Sequence, residues 1–131
     1  MEVFHLMERA YPKREVSREK HNVFLVDGVK IYALSSKEHS SSSYLYYWFT
    51  FLTSLLEESD KLCLFATNAG VYFEIDKECI KRLAYFKGNK HGRNFIEVHT
   101  DDKGTHFNLV GKKGKSLSIT PNRIGLSNYG E

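Results

Sequence analysis

The chain has 131 residues, of which 41% are hydrophobic and 27% charged, and a formal net charge of +3. That length suits one domain, residues 1–131, which buries a core without disulfide or metal support. With only Cys63 and Cys79 present, a disulfide framework is excluded and a reducing compartment is expected. No apolar run reaches the roughly 18 to 20 residues of a membrane span, and the N-terminal stretch lacks the cationic start and cleavage site of a secretion signal. A soluble, cytoplasmic chain with no membrane partner is the expectation.

Residues 2–11 place Val3, Leu6, Met7 and Ala10 at helical spacing, with Glu2, His5, Glu8 and Arg9 elsewhere on the wheel, until Pro12 stops the pattern. A charged connector, KREVSREK, leads to two β-rich runs separated by Asp27-Gly28. Asp-Gly suits a type I′ turn, so Val26 pairs with Val29, and Phe24, Val26, Val29, Ile31 and Ala33 share one apolar face. A serine-rich loop over 37–43 precedes the run YLYYWFTF, whose alternating sets, Tyr44, Tyr46, Trp48, Thr50 against Leu45, Tyr47, Phe49, Phe51, predict a central strand covered on both sides. A short helix follows over LTSLLEES. The runs KLCLFAT and VYFEI then form a second hairpin about Asn68-Ala69-Gly70.

Asp76 caps a helix over 77–86 that buries Cys79, Ile80 and Leu83. Three strands, NFIEVHT, THFNLV and SLSIT, read as a meander, and the tail from Pro121 reads as a loosely held end. The expected fold class is α+β: a mixed or mainly antiparallel sheet with one helix from the N-terminus and another near 77–86.

The order helix, strand, strand, strand, helix, strand over residues 2–76 resembles the core of the PD-(D/E)xK, or restriction-endonuclease-like, nuclease superfamily. The resemblance implies that Asp27 stands at the family's first acid, with Glu8 as a further carboxylate. Tyr32 and Leu34 stand where that family carries an acid or Gln and then Lys. Neither side chain binds a divalent metal or activates water. What the resemblance implies is therefore a degenerate nuclease-like scaffold that departs from the family's motif at Tyr32 and Leu34.

Charge supports a binding role. Residues 1–60 carry seven Lys/Arg against nine Asp/Glu, and residues 61–131 twelve against seven, so the halves stand at −2 and +5. The densest cluster is Lys77, Lys81, Arg82, Lys87, Lys90 and Arg93, opposed between 77 and 93 by Glu78 alone, and Lys112 and Lys113 lie at a hairpin tip. Such cations, with a glycine-containing loop between them, suit phosphate contacts. The expected function is a non-catalytic nucleic-acid-binding protein, with DNA favoured over RNA as partner. The alternatives are a protein-interaction module or homodimer using the aromatic strand, and a divergent metal-dependent nuclease.

His99 and His106 flank TDDKGT, and a four-residue DDKG loop would set them opposite each other, near Asp101 and Asp102. With no third ligand of known position, no metal or other cofactor is expected. No nucleophile elbow, dinucleotide fingerprint, phosphate loop or Cys-x-x-Cys motif occurs, so no catalytic residue is assigned.

Overall fold

The Glu2 carboxylate accepts the Phe4 N–H at 3.0 Å, which fills one of the donors a helix N-terminus leaves open. The structure, a computed structural model, describes residues 2–41, 44–83, 86–87, 93–101, 106–111, 115–119 and 123–125. Helix α1 spans Val3–Ala10, followed by strands β1 (Val16–Lys20), β2 (Val23–Val26), β3 (Val29–Ser36), β4 (Glu38–Ser40) and β5 (Leu45–Leu52). Helix α2 (Thr53–Glu58) leads to β6 (Lys61–Ala66), a 3-10 turn at Thr67–Ala69 and β7 (Val71–Asp76). Helix α3 (Lys77–Leu83) precedes β8 (Phe86–Lys87), β9 (Arg93–Thr100), β10 (Phe107–Val110), β11 (Ser116–Ser118) and β12 (Arg123–Gly125). The fold is α+β.

The strands divide into two sheets. The first runs β1-β2-β3-β6-β7-β12 and is antiparallel except for the parallel pair β3–β6. The second runs β11-β10-β9-β5-β4, all antiparallel, with β8 added beside the start of β9. The β2–β3 register is the one Asp27-Gly28 predicts, Val26 opposite Val29. Both turn residues take positive φ, 51° and 81°, a conformation that Asp tolerates and that costs Gly nothing. Gly70, also left-handed at φ 66°, ends the turn between β6 and β7.

Period-two alternation in the first sheet feeds two cores. On one face Phe24, Val26, Ile31, Ala33, Cys63, Phe65 and Tyr72 pack beneath Leu6 and Met7 of α1. On the other, Tyr32, Leu34, Leu62, Leu64, Phe73 and Ile75 meet Tyr47, Phe49, Phe51, Ile96, Val98 and Phe107 of the second sheet. The result is three layers: helix, mixed sheet, antiparallel sheet. Helices α2 and α3 close one end, contributing Leu55, Leu56 and Ile80.

Several expectations need correction. The charged connector contains β1, an edge strand exposed everywhere except Val16. The tail contains β12, which pairs Ile124 with Tyr72 at the opposite edge. Part of the serine-rich loop forms β4. The expected helix over 77–86 ends at Leu83, and Phe86 and Lys87 pair with Phe95 and Asn94 instead. The run 44–51 is covered on one side only: Tyr47, Phe49 and Phe51 are buried, whereas Trp48 and Thr50 are exposed.

The core beneath α1 carries buried hydroxyls. Tyr72 donates to the Ala10 carbonyl at 3.2 Å, and Tyr11 donates to Glu74. Burial, with Cys63 and Glu74 nearby, pushes the Tyr72 phenol up to about 12 and raises Tyr11 as well. The fold thus favours the neutral phenols. Their contribution to stability is complete below the unfolded value of about 10 and is lost as pH rises through the folded values. In an alkaline titration, the last phenolate absorbance is expected to appear together with loss of the far-ultraviolet circular dichroism signal, and Tyr72→Phe should remove part of that coupling.

Candidate nucleic-acid interface

Because Tyr47, Phe49 and Phe51 turn into the core, the residues between them face outward. The same alternation in β9 turns Ile96 and Val98 inward and Phe95, Glu97 and His99 outward. Register places Tyr46 beside His99, Trp48 beside Glu97 and Thr50 beside Phe95, while His39 of β4 lies beside Tyr46 on the other flank. The outer face of the second sheet is therefore an array of rings. Tyr44 stacks on His99 with centroids 4.3 Å apart, His39 stacks on Tyr46 at 5.3 Å, and Phe95 meets Trp48 edge-on at 5.4 Å. Trp48 is 46% exposed and Tyr44 39%. Glu97 sits within this face and pairs with His99 at 2.7 Å.

Beside Trp48, no strand among the described residues pairs with this edge of β5, because β4 pairs only with Leu45–Tyr47. The Trp48 N–H donates to the Ser36 hydroxyl at 3.0 Å and the Leu52 N–H to the Tyr32 hydroxyl at 3.1 Å. Thr50, between them in the same alternation, points its backbone toward the same side. A cleft of about 210 Å³ opens there, lined by Trp48, Thr50, Asn22, Ser35 and Arg93 among others. Tyr32 forms part of its wall, its phenol raised by burial against the opposing effects of the Leu52 N–H and the Arg93 guanidinium.

Among the described residues, the backbone positions of the predicted cations fall toward one end of this sheet. Arg93 opens β9 opposite Leu52, the residue from which α2 departs, and is exposed. Lys87 of β8 pairs with Asn94. In β10, Val110 lies opposite Glu97, so Gly111 and Lys115, joined by a 2.8 Å backbone bond, continue toward the Arg93 end. Helix α3 is fastened to α2 at the same end: Lys77 donates to the Glu57 carbonyl, and Lys81 reaches the Glu57 carboxylate, each at 2.8 Å. Lys81 also lies 3.9 Å from Glu78. The fold thus brings the backbone positions of Lys77, Lys81, Arg82, Lys87 and Arg93 to one end, with the Lys81 ammonium held by acids. Arg82 is exposed and its guanidinium lies 3.6 Å from Cys79 Sγ. Lys90, Lys112 and Lys113 lie outside the described residues.

The histidine pairing differs from expectation. Thr100 pairs with Phe107, so His99 faces Asn108. His106 instead turns to Asp101, with ring Nδ1 at 3.2 Å from the carboxylate. The connection between the last paired positions runs over 101–106 rather than over DDKG alone, and this extra length shifts the register by two. Among the described residues no group of three His, Cys, Asp or Glu is placed to hold a metal. The two acids named through the nuclease resemblance are apart in role: Asp27 pairs with Arg14 at 3.2 Å, and Glu8 with His5 at 3.3 Å. Tyr32 and Leu34 face the core.

The sequence reading missed the contributions of His39, Phe95 and His99 to the aromatic face, and Asn22 in the cleft. The signal for Phe95 and His99 was present in the alternation of NFIEVHT, but it acquires meaning only once β9 is known to lie against β5. Comparison with protein-family models, with curated proteins and with solved structures finds no match for this chain.

Proposed function

We propose that the chain is a non-catalytic nucleic-acid-binding protein. It takes single-stranded segments on the outer face of the second sheet, with phosphates drawn toward the cations at its Arg93 end. The observation that carries this reading is the exposed Trp48 ring beside a cleft that Arg93 also lines. Exposed rings stack unpaired bases with little regard to sequence, and a neighbouring guanidinium supplies the backbone contact. Arg82 and Lys115, whose backbone positions fall at the same end, extend the cationic track. DNA is the first partner to test. A reducing, cytoplasmic location accords with the free Cys63 and Cys79. No described helix is long and apolar enough to cross a membrane.

Arg82→Glu and Arg93→Glu are expected to weaken binding to a short fluorescent oligothymidylate and to flatten its salt dependence by about 0.7 in log–log slope for each phosphate no longer neutralised. Lys81→Gln should cost less, since Glu57 already offsets that charge. Fluorescence anisotropy across a salt series measures both. Unchanged affinity in the arginine variants, or no binding by the parent chain, overturns the reading. A dimer in light scattering that Trp48→Ala dissolves would favour the aromatic face as a protein interface instead.

A further inference from the structure

On the helix side of the molecule, away from the aromatic face, the first sheet extends beyond the footprint of α1 and leaves a cavity of about 520 Å³. The Tyr11–Arg14 connector, the β2–β3 turn, Lys61 of β6 and Tyr72 and Glu74 of β7 line it, and it is open to solvent. Its floor is apolar, formed by Ala10, Val29 and Ile31. Its rim is ionic. Arg14 pairs with Asp27 at 3.2 Å with both side chains more than half exposed, and Lys61 approaches Glu74 at 3.9 Å. Lys13 joins the rim and has no ion-pair partner among the described residues. Three cations therefore face two carboxylates, and one of these, Glu74, also takes the Tyr11 hydroxyl. Concave sites with an apolar body and a few convergent polar groups are where small ligands bind.

We propose that this cavity binds a small amphiphilic anion, its carboxylate- or phosphate-type head met by Lys13 and Lys61 and its apolar body lying on Val29 and Ile31. The surplus of positive charge selects the sign of the head. The apolar floor selects against a bare inorganic anion. Both cations are on flexible stems at the surface, so they reach the head without moving the sheet. The site is separate from the aromatic face and does not depend on nucleic-acid binding.

The test uses the full chain labelled with nitrogen-15 and titrated with octanoate below its micellar range, with octyl phosphate, octan-1-ol and acetate as companion probes. Saturable shifts of the Val29, Ile31 and Tyr72 amide peaks are expected with octanoate or octyl phosphate. Octan-1-ol and acetate should each bind at least tenfold more weakly. Lys13→Met with Lys61→Met should weaken octanoate severalfold while the remaining spectrum stays that of the folded chain, and Val29→Phe should block binding with both lysines intact. Absence of shifts at these residues, equal binding of octan-1-ol and octanoate, or indifference to the lysine substitutions would overturn the proposal. A preference between octanoate and octyl phosphate would identify which head the site takes.

Discussion

Trp48→Ala is expected to lower affinity for a short single-stranded oligonucleotide by about one to two orders of magnitude, the range that loss of one base-stacking ring produces. The indole is the only one in the chain, so its intrinsic fluorescence reports the site directly. Titration of the parent chain should change that fluorescence in step with anisotropy of the labelled strand. Because the ring is 46% exposed and its backbone N–H bond to Ser36 does not depend on the side chain, Trp48→Ala should leave the unfolding midpoint nearly unchanged. Retained affinity in a folded Trp48→Ala protein would remove the aromatic face from the binding reading.

Phe73→Ala is expected to destabilise the fold by about 3–5 kcal/mol, the usual cost of deleting a fully buried phenyl ring. Phe73 lies in β7, is 0% exposed, and its ring meets that of Phe107 from the second sheet at 5.1 Å and 60°. The substitution leaves a void between the sheets, where neither backbone can close in without breaking its own ladder. Against a typical total of about 5–15 kcal/mol, this approaches the limit of a folded chain. Urea unfolding should show a lower midpoint at similar slope. A loss under about 1 kcal/mol would mean that the two sheets are not joined through this pair of rings.

Legibility in the sequence followed where the chain carries its own constraint. Asp27-Gly28 determines both the turn and the facing residues, so the β2–β3 face was readable to the residue. The apolar spacing of α1 was readable for the same reason. Strands β1 and β12 were not, because an edge strand pairs on one side only and need not alternate. The cations were legible as residues but not in their arrangement. Lys81 is visible as a cation, yet the acid that offsets it, Glu57, lies 24 residues away in the chain and meets it only because α2 and α3 pack together. The alternation of residues 44–51 was plain. Whether another layer covers both faces is decided by the topology of other strands, which no local pattern records.

After Ser36 the chain leaves the first sheet, builds β4, β5 and α2, and returns at Lys61 to lie parallel to the strand it left. The detour has a kinetic consequence. The β3–β6 ladder must bring together segments about thirty residues apart, a loop-closure cost met before any of its bonds form, and β5 must then wait for β9, farther still along the chain. Early collapse can assemble α1 with the β2–β3 hairpin, but the transition state has to span both sheets, so folding should be slow for a chain of this size and its halves should gain structure together.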